Sequence, residues 1–186
     1  MDKIKLELIK NAIRGDKISL EKLIKQEQKN VYAMLFYLKK DESDISDIMQ
    51  NILIKLASRI SQLKNPLSYK NWLNQLIIRS YYDYLRKNQR KAKIHHNQDE
   101  KSLFDIPDET FNPQNSILNN EVDIIVKKSI QNLPNHYKIP LALREIQGLS
   151  YNEISNITKT SIGTVKSRIS RGRSIIQSDL EKYEKS

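Results

Sequence analysis

Apolar residues recur at three- and four-residue spacing along almost the whole chain, and few residues in it can break a helix. Only 4 glycines and 5 prolines occur in 186 residues, so turns are sparse and long helices are favoured. Ile45, Ile48, Met49, Ile52, Leu53 and Leu56 form one continuous helical stripe, with Asp47, Gln50, Asn51 and Lys55 on the opposite face. Tyr69, Trp72, Leu73, Leu76, Ile77, Ser80 and Tyr84 form a second stripe. Ser43 and Asp44 are placed to cap the first of these helices. Asn65-Pro66 forces a loop between them, because the residue before proline is driven out of the helical region. Leu20, Leu23, Ile24, Val31, Met34, Leu35 and Leu38 supply further helices for the same bundle.

The periodicity fails once. From His95 to Asn120 the chain carries Pro107, Pro113 and many Asn and Asp residues without any period, which reads as a flexible linker. The expectation is an all-α protein of two small helical domains, residues 1–93 and 121–186, joined by a tether over 94–120.

The second domain holds the most specific local signal. Ser150 and Glu153 have the spacing of a capping box, and a short helix follows with Ile154 and Ile157 inward. A turn at Thr158-Lys159-Thr160 leads to Ser161, a second cap, and to a helix expected from Ile162 to about Arg173. Val165 and Ile169 point to its core, while Gly163, Thr164, Lys166, Ser167, Ser170 and Arg171 face outward. Two capped helices with a basic, small-residue outer face have the chemistry of a helix-turn-helix that seats in the major groove. Pro140 lies within the preceding helical segment and should kink it or fix its first turn.

A formal charge of +10 suits a polyanionic partner. No apolar run is long enough to span a bilayer, and the first residues lack the uninterrupted apolar core of a signal peptide, so a cytoplasmic protein is expected. With 0 cysteines there is no disulfide, thiolate metal site or thiol nucleophile. His95 and His96 stand side by side without carboxylate partners at ligand spacing and read as solvated; His136 has no catalytic companion. No phosphate loop, paired-acid site or nucleophile–base pair is present, so neither enzymatic activity nor a metal or cofactor is expected.

The stretches Leu143–Ile157 and Gly163–Arg173 resemble region 4 of the extracytoplasmic-function (ECF) subgroup of sigma-70 family RNA polymerase sigma factors. Ile45–Gln50 resembles that family's core-binding helix, and Leu67–Leu73 with Tyr82–Arg86 resembles its promoter-melting segment. The resemblance covers nearly the whole chain, in order and spacing. It departs at Asn51, where an acid is usual, at Ile78-Arg79, which replaces Arg-Asn, and at Gly172, where Ala is usual.

What the resemblance implies is a promoter-directing subunit with core RNA polymerase, promoter DNA and an anti-sigma factor as partners; the anti-sigma factor is often membrane-anchored in this family. Asp47, Gln50 and Asn51 would face the polymerase. The loop from Ser61 to Ser68 would capture a base flipped from the non-template strand of the −10 element, with Asn65 and Ser68 offering hydrogen bonds and Tyr69 a stacking wall. Arg79, Tyr81, Tyr82, Arg86, Lys87, Arg90, Lys91 and Lys93 interleave cations and rings, as suits single-stranded or junction DNA. Trp72 lies on the apolar stripe and is assigned to the core rather than to a melting wedge. On the recognition helix, Lys166 and Arg171 are the leading −35 contacts, Ser161, Thr164 and Ser167 would position phosphates, and Arg168 and Arg173 would add backbone contacts. Two rival readings are a stand-alone helix-turn-helix regulator, which would bind DNA without polymerase, and a metal-dependent nucleic-acid enzyme, for which the acids near Asp44 face different ways.

Overall fold

The computed structural model describes residues 2–39, 43–94 and 121–184. They form eight α-helices, and no strand occurs among the described residues. Asp2 and Asp16 cap α1 (Lys3–Ile13) and α2 (Lys17–Leu38), the Asp16 carboxylate accepting from the Ser19 amide at 2.9 Å. Gly15, at φ 96°, makes the turn between them. α3 spans Ile45–Arg59. Two short 3₁₀ turns, Ile60–Gln62 and Pro66–Ser68, lead to the long α4 (Tyr69–Ile94), which enters the region expected as linker by one residue. The rest of that expected linker lies outside the described residues. α5 (Glu121–Asn132), α6 (Asn135–Glu145), α7 (Tyr151–Thr158) and α8 (Ile162–Glu184) complete the chain.

The apolar stripes bury as the periodicity demands. Leu23, Val31, Met34, Leu35, Ile45, Ile52, Leu56, Leu73 and Ile77 fill the interior of the α1–α4 bundle. Ile139, Leu141, Leu143, Leu149, Ile154, Val165 and Ile169 fill a second core beneath α8. Each such side chain contributes about 1.5–3 kcal/mol by leaving water. Trp72 packs against the core, as its place on the stripe implied. Pro140 is buried inside α6, which continues through it to Glu145. α8 runs well past the expected end near Arg173, because its later turns pack on α5. No helix among the described residues is long and apolar enough to cross a membrane.

One expected cap is used differently. Asp44 sits at the start of α3 but makes no side-chain capping bond. Its carboxylate is taken by Lys39 Nζ at 3.0 Å and by the Tyr84 hydroxyl.

The two helical units are packed together. α5 and α6 lie against α2, and α7 lies against α4. A helix leaves its last carbonyls without intrahelical partners, and at the end of α2 the second unit supplies them. Gln131 Nε2 donates to the carbonyls of Phe36 (2.7 Å) and Lys39 (2.6 Å), and Lys138 Nζ donates to that of Leu38 (3.3 Å). From within the first unit the Tyr81 hydroxyl also donates to the Leu38 carbonyl at 2.9 Å, and from the second the Lys127 ammonium stands 3.4 Å from the Phe36 ring centre.

Candidate nucleic-acid interface

The helix-turn-helix is built by side chains that answer orphan backbone groups. At the start of α7 the Ser150 amide donates to Glu153 Oε2 at 2.8 Å, and the Glu153 amide donates to Ser150 Oγ at 3.3 Å, completing the capping box. The Ser150 backbone bond is the first reason the Glu153 carboxyl is held below the usual range, with Asn71 and Lys70 of α4 adding to it. Lys159 turns the chain in the left-handed region at φ 56°. Ser155 Oγ donates to the Thr160 carbonyl at 2.6 Å and ties the turn to α7. Ser161 Oγ then accepts from the Thr164 amide at 3.1 Å and starts α8. Val165 and Ile169, almost without exposure, anchor α8 and so fix which face looks out.

That outer face carries Ser161, Gly163, Lys166, Ser167, Ser170 and Arg171, all exposed, with Thr164 and Arg168 half-buried. The Ser161 and Thr164 hydroxyls bond each other at 2.8 Å, so both also serve the cap. Lys166 stands 5.7 Å and Arg144 5.0 Å from the Tyr151 ring centre, so the ring steadies Lys166 beside the outer face. Arg173 is committed elsewhere: its Nε and Nη2 both donate to Glu145 Oε1, at 3.0 and 2.5 Å. Ile162, 42% exposed at the head of α8, was not singled out by pattern; an apolar residue just after a cap, off the buried stripe, is the signal that marks it.

In the first unit, Asp47, Gln50 and Asn51 are exposed on the outer side of α3, and Asn51 Nδ2 donates to the Asp47 carbonyl at 2.8 Å. Asp47 and Asn51 line a groove between α3 and α4 together with Lys55, Ser80, Asp83 and Lys87. Lys55 Nζ bonds Ser80 Oγ at 3.1 Å and pairs with Asp83 at 3.5 Å. Asp83 is held below the usual carboxylate range, first by its bond to Arg86 and then by the Lys55 charge, so Arg86 is paired within the chain. Arg79, Tyr82, Lys87 and Arg90 are exposed along α4.

Asn65 and Ser68 are exposed, and Asn65 Oδ1 accepts from the Leu67 amide at 2.9 Å. Tyr69, by contrast, is 2% exposed, so it offers no stacking wall. It begins the apolar stripe of α4, and its ring is drawn into the core against Trp72, 6.0 Å between centroids. Leu67 is the apolar side chain left outside, 69% exposed. Tyr81 corrects a second expectation: it is buried, its hydroxyl is bonded to Leu38, and its pKa is pushed up to about 12, chiefly by burial. Lys91 and Lys93 lie on α4, but their side chains are outside the described set.

Comparison with known proteins finds two family matches along the chain. The model of sigma-70 region 2 matches residues 23–91, and that of sigma-70 region 4 matches residues 124–176. The ECF RNA polymerase sigma-E factor of Haemophilus influenzae is 29% identical over 182 residues, covering 94% of each chain. The RNA polymerase sigma-H factor of Pseudomonas aeruginosa is 26% identical over 179 residues, covering 94% of this chain and 93% of that one. Among solved structures, the sigma factor RpoE in complex with the anti-sigma factor NepR from Bartonella quintana superposes with a TM-score of 0.69 at 21% identity, over 87% of this chain and 96% of that one. CnrH in complex with the cytosolic domain of CnrY superposes with a TM-score of 0.67 at 16% identity, over 96% and 97%. The bundle, the helix-turn-helix and these likenesses together place the chain in the sigma-70 family of RNA polymerase sigma factors, in its extracytoplasmic-function subgroup.

Proposed function

We propose that the chain directs core RNA polymerase to promoters by reading two DNA elements with its two helical units and opening the duplex at one of them. The observation that carries this reading is the presence, on one chain, of a helix-turn-helix with an exposed Lys166–Arg171 face and a bundle with an exposed polar helix and an exposed basic one. Neither unit alone accounts for both surfaces.

In this reading the outer face of α8 enters the major groove of the −35 element. Lys166 and Arg171 reach base edges or phosphates, Ser167 and Thr164 set the register, and Ile162 is placed for a thymine methyl. A good bidentate contact discriminates by about 1–3 kcal/mol. Arg168 approaches the backbone; Arg173 would first have to leave Glu145. At the −10 element, Asn65 and Ser68 receive the flipped base and Leu67 covers it, offsetting an unstacking cost of a few kcal/mol. Arg79, Tyr82, Lys87 and Arg90 track the separated strand, while Arg86 is partly neutralised by Asp83. Asp47, Gln50 and Asn51 present the face for the polymerase's largest subunit.

The chain is a DNA-binding initiation factor rather than a classical enzyme. We assign it no catalysis of its own, since nucleotide addition belongs to the polymerase, and that partnership places it in the cytoplasm. RpoE was solved with the anti-sigma factor NepR, and CnrH with the cytosolic domain of CnrY; a comparable partner, free or membrane-held, is the proposed regulator here.

The test compares promoter-duplex binding by the chain alone, core polymerase alone and the two together. The reading expects sequence-specific binding mainly with the mixture, weakened by Asp47→Ala with Gln50→Ala. Tight specific binding by the chain alone, unchanged by polymerase, would favour a conventional regulator.

A further inference from the structure

Leu23, Glu27 and Val31 stand at four-residue spacing on the buried stripe of α2, and the middle one is an acid. Glu27 is 1% exposed. A carboxylate sealed from water is costly unless other groups meet its charge. Two do so here: Lys5 Nζ of α1 stands 2.7 Å from Oε1, and Asn30 Nδ2 donates to Oε2 at 2.8 Å. An apolar side chain would complete the stripe without that cost, so packing does not account for the acid.

What the acid faces is the entry to α4. The Glu27 charge acts on the phenol of Tyr69, whose pKa is raised first by burial and then by that charge. The phenol therefore stays neutral beside the carboxylate. Tyr69 also ends the 3₁₀ turn Pro66–Ser68, its amide donating to the Pro66 carbonyl. Its ring is the buried end of a loop whose Asn65, Leu67 and Ser68 are outside.

Close packing does not hold that loop by itself. Beside it lies a cavity of about 500 Å³ whose walls include Lys5, Glu27, Asn30, Leu67 and Tyr69. A side chain next to a void lacks contact atoms on that side and can shift without collision, so its position must come from specific contacts. α1 packs on both 3₁₀ turns, which brings the helix bearing Lys5 against the loop.

We propose that Glu27, held by Lys5 and Asn30, is a positioning residue for base capture: through the Tyr69 hydroxyl it fixes the Asn65–Ser68 turn in the shape that receives a flipped base. The DNA part rests on the promoter-reading function above; the ordering of the loop does not. A loop already ordered avoids an ordering cost when it binds, so the effect belongs to one base position rather than to DNA affinity at large.

The test uses the full chain with Glu27→Gln, which keeps the volume and removes the charge, and with Tyr69→Phe, which keeps the ring and removes the hydroxyl. The Leu67 and Ser68 amides are both bonded within the turn. In the free chain their hydrogen exchange should quicken about tenfold in either variant, while the amides of Leu23 and Val31 stay slow. In the holoenzyme, preference at one base pair of the −10 element should fall about tenfold, with −35 preference and affinity for core polymerase unchanged. Combining the two changes should add nothing further, because both act at one contact. Unchanged loop exchange in either folded variant, or quickened exchange spread evenly through α2 and α4, overturns the positioning role; Tyr69→Phe decides it should Glu27→Gln fail to fold. Quickened loop exchange with −10 preference intact overturns the link to base capture. Failure of the promoter-reading function would show instead as no initiation dependent on the chain with Glu27 intact.

Discussion

Lys166 and Arg171 carry the proposed −35 reading, and they were legible because a capped helix with a clear apolar stripe leaves no doubt which face is outside. Arg171→Ala in the holoenzyme should weaken promoter binding by about 1–3 kcal/mol and relax preference at a single base pair if it touches a base edge. Competition binding over single-base promoter variants measures this, and an equal loss on every sequence would assign Arg171 to phosphate instead. Residues whose role depends on which other helix packs beside them were not legible. Tyr81 alternates with cations as a DNA-facing ring would, but its hydroxyl closes on the Leu38 carbonyl. Burial, then Tyr82 and Tyr84, raise its pKa from 10.0 to about 12. A raised value means the neutral phenol is the form the fold holds, so its contribution is complete below pH 10 and is lost as pH rises toward 12. Urea midpoints over that interval should fall, and fall less for Tyr81→Phe.

Single elements followed local chemistry closely. The capping box, the Ser161 cap and the Asn65-Pro66 break were all written in two or three residues, because each answers orphan backbone groups within one turn. The Asp44 cap was not, since Lys39 and Tyr84 compete for its carboxylate from outside α3. The turn of the helix-turn-helix keeps a lysine at φ 56°. Lys159→Gly should relieve about 1 kcal/mol of left-handed strain and raise the melting temperature by about 2–4 °C; a lower melting temperature would show that the Lys159 side chain stabilises the turn by more than it strains it. At the start of α7 the Glu153 pKa is lowered, first by the Ser150 amide. A lowered value gives stability that is complete above the ordinary glutamate range and is lost as pH falls through it. Acid titration of helicity should therefore show an earlier transition that Glu153→Gln flattens.

At the scale of the whole molecule, two helical units were readable because each has its own periodic stripes, with an aperiodic segment between them. Their docking was not, because Gln131 and Lys138 look like solvent-facing polar residues until the end of α2 is beside them. The +10 charge makes promoter affinity salt-dependent. Plots of log affinity against log salt for the holoenzyme should lose about 0.9 of slope for each phosphate-contacting cation removed, with Lys87→Ala and Arg90→Ala the first to compare. Unchanged slopes would move the strand-tracking surface off α4.

The most direct test of the account is multi-round transcription by purified bacterial core polymerase, with and without this protein, over a library of candidate promoters. Initiation at specific start sites that requires the protein, and that fails for Lys166→Ala with Arg171→Ala, is the predicted result. No initiation on any template, alongside tight sequence-specific binding of DNA by the chain without polymerase, would contradict it.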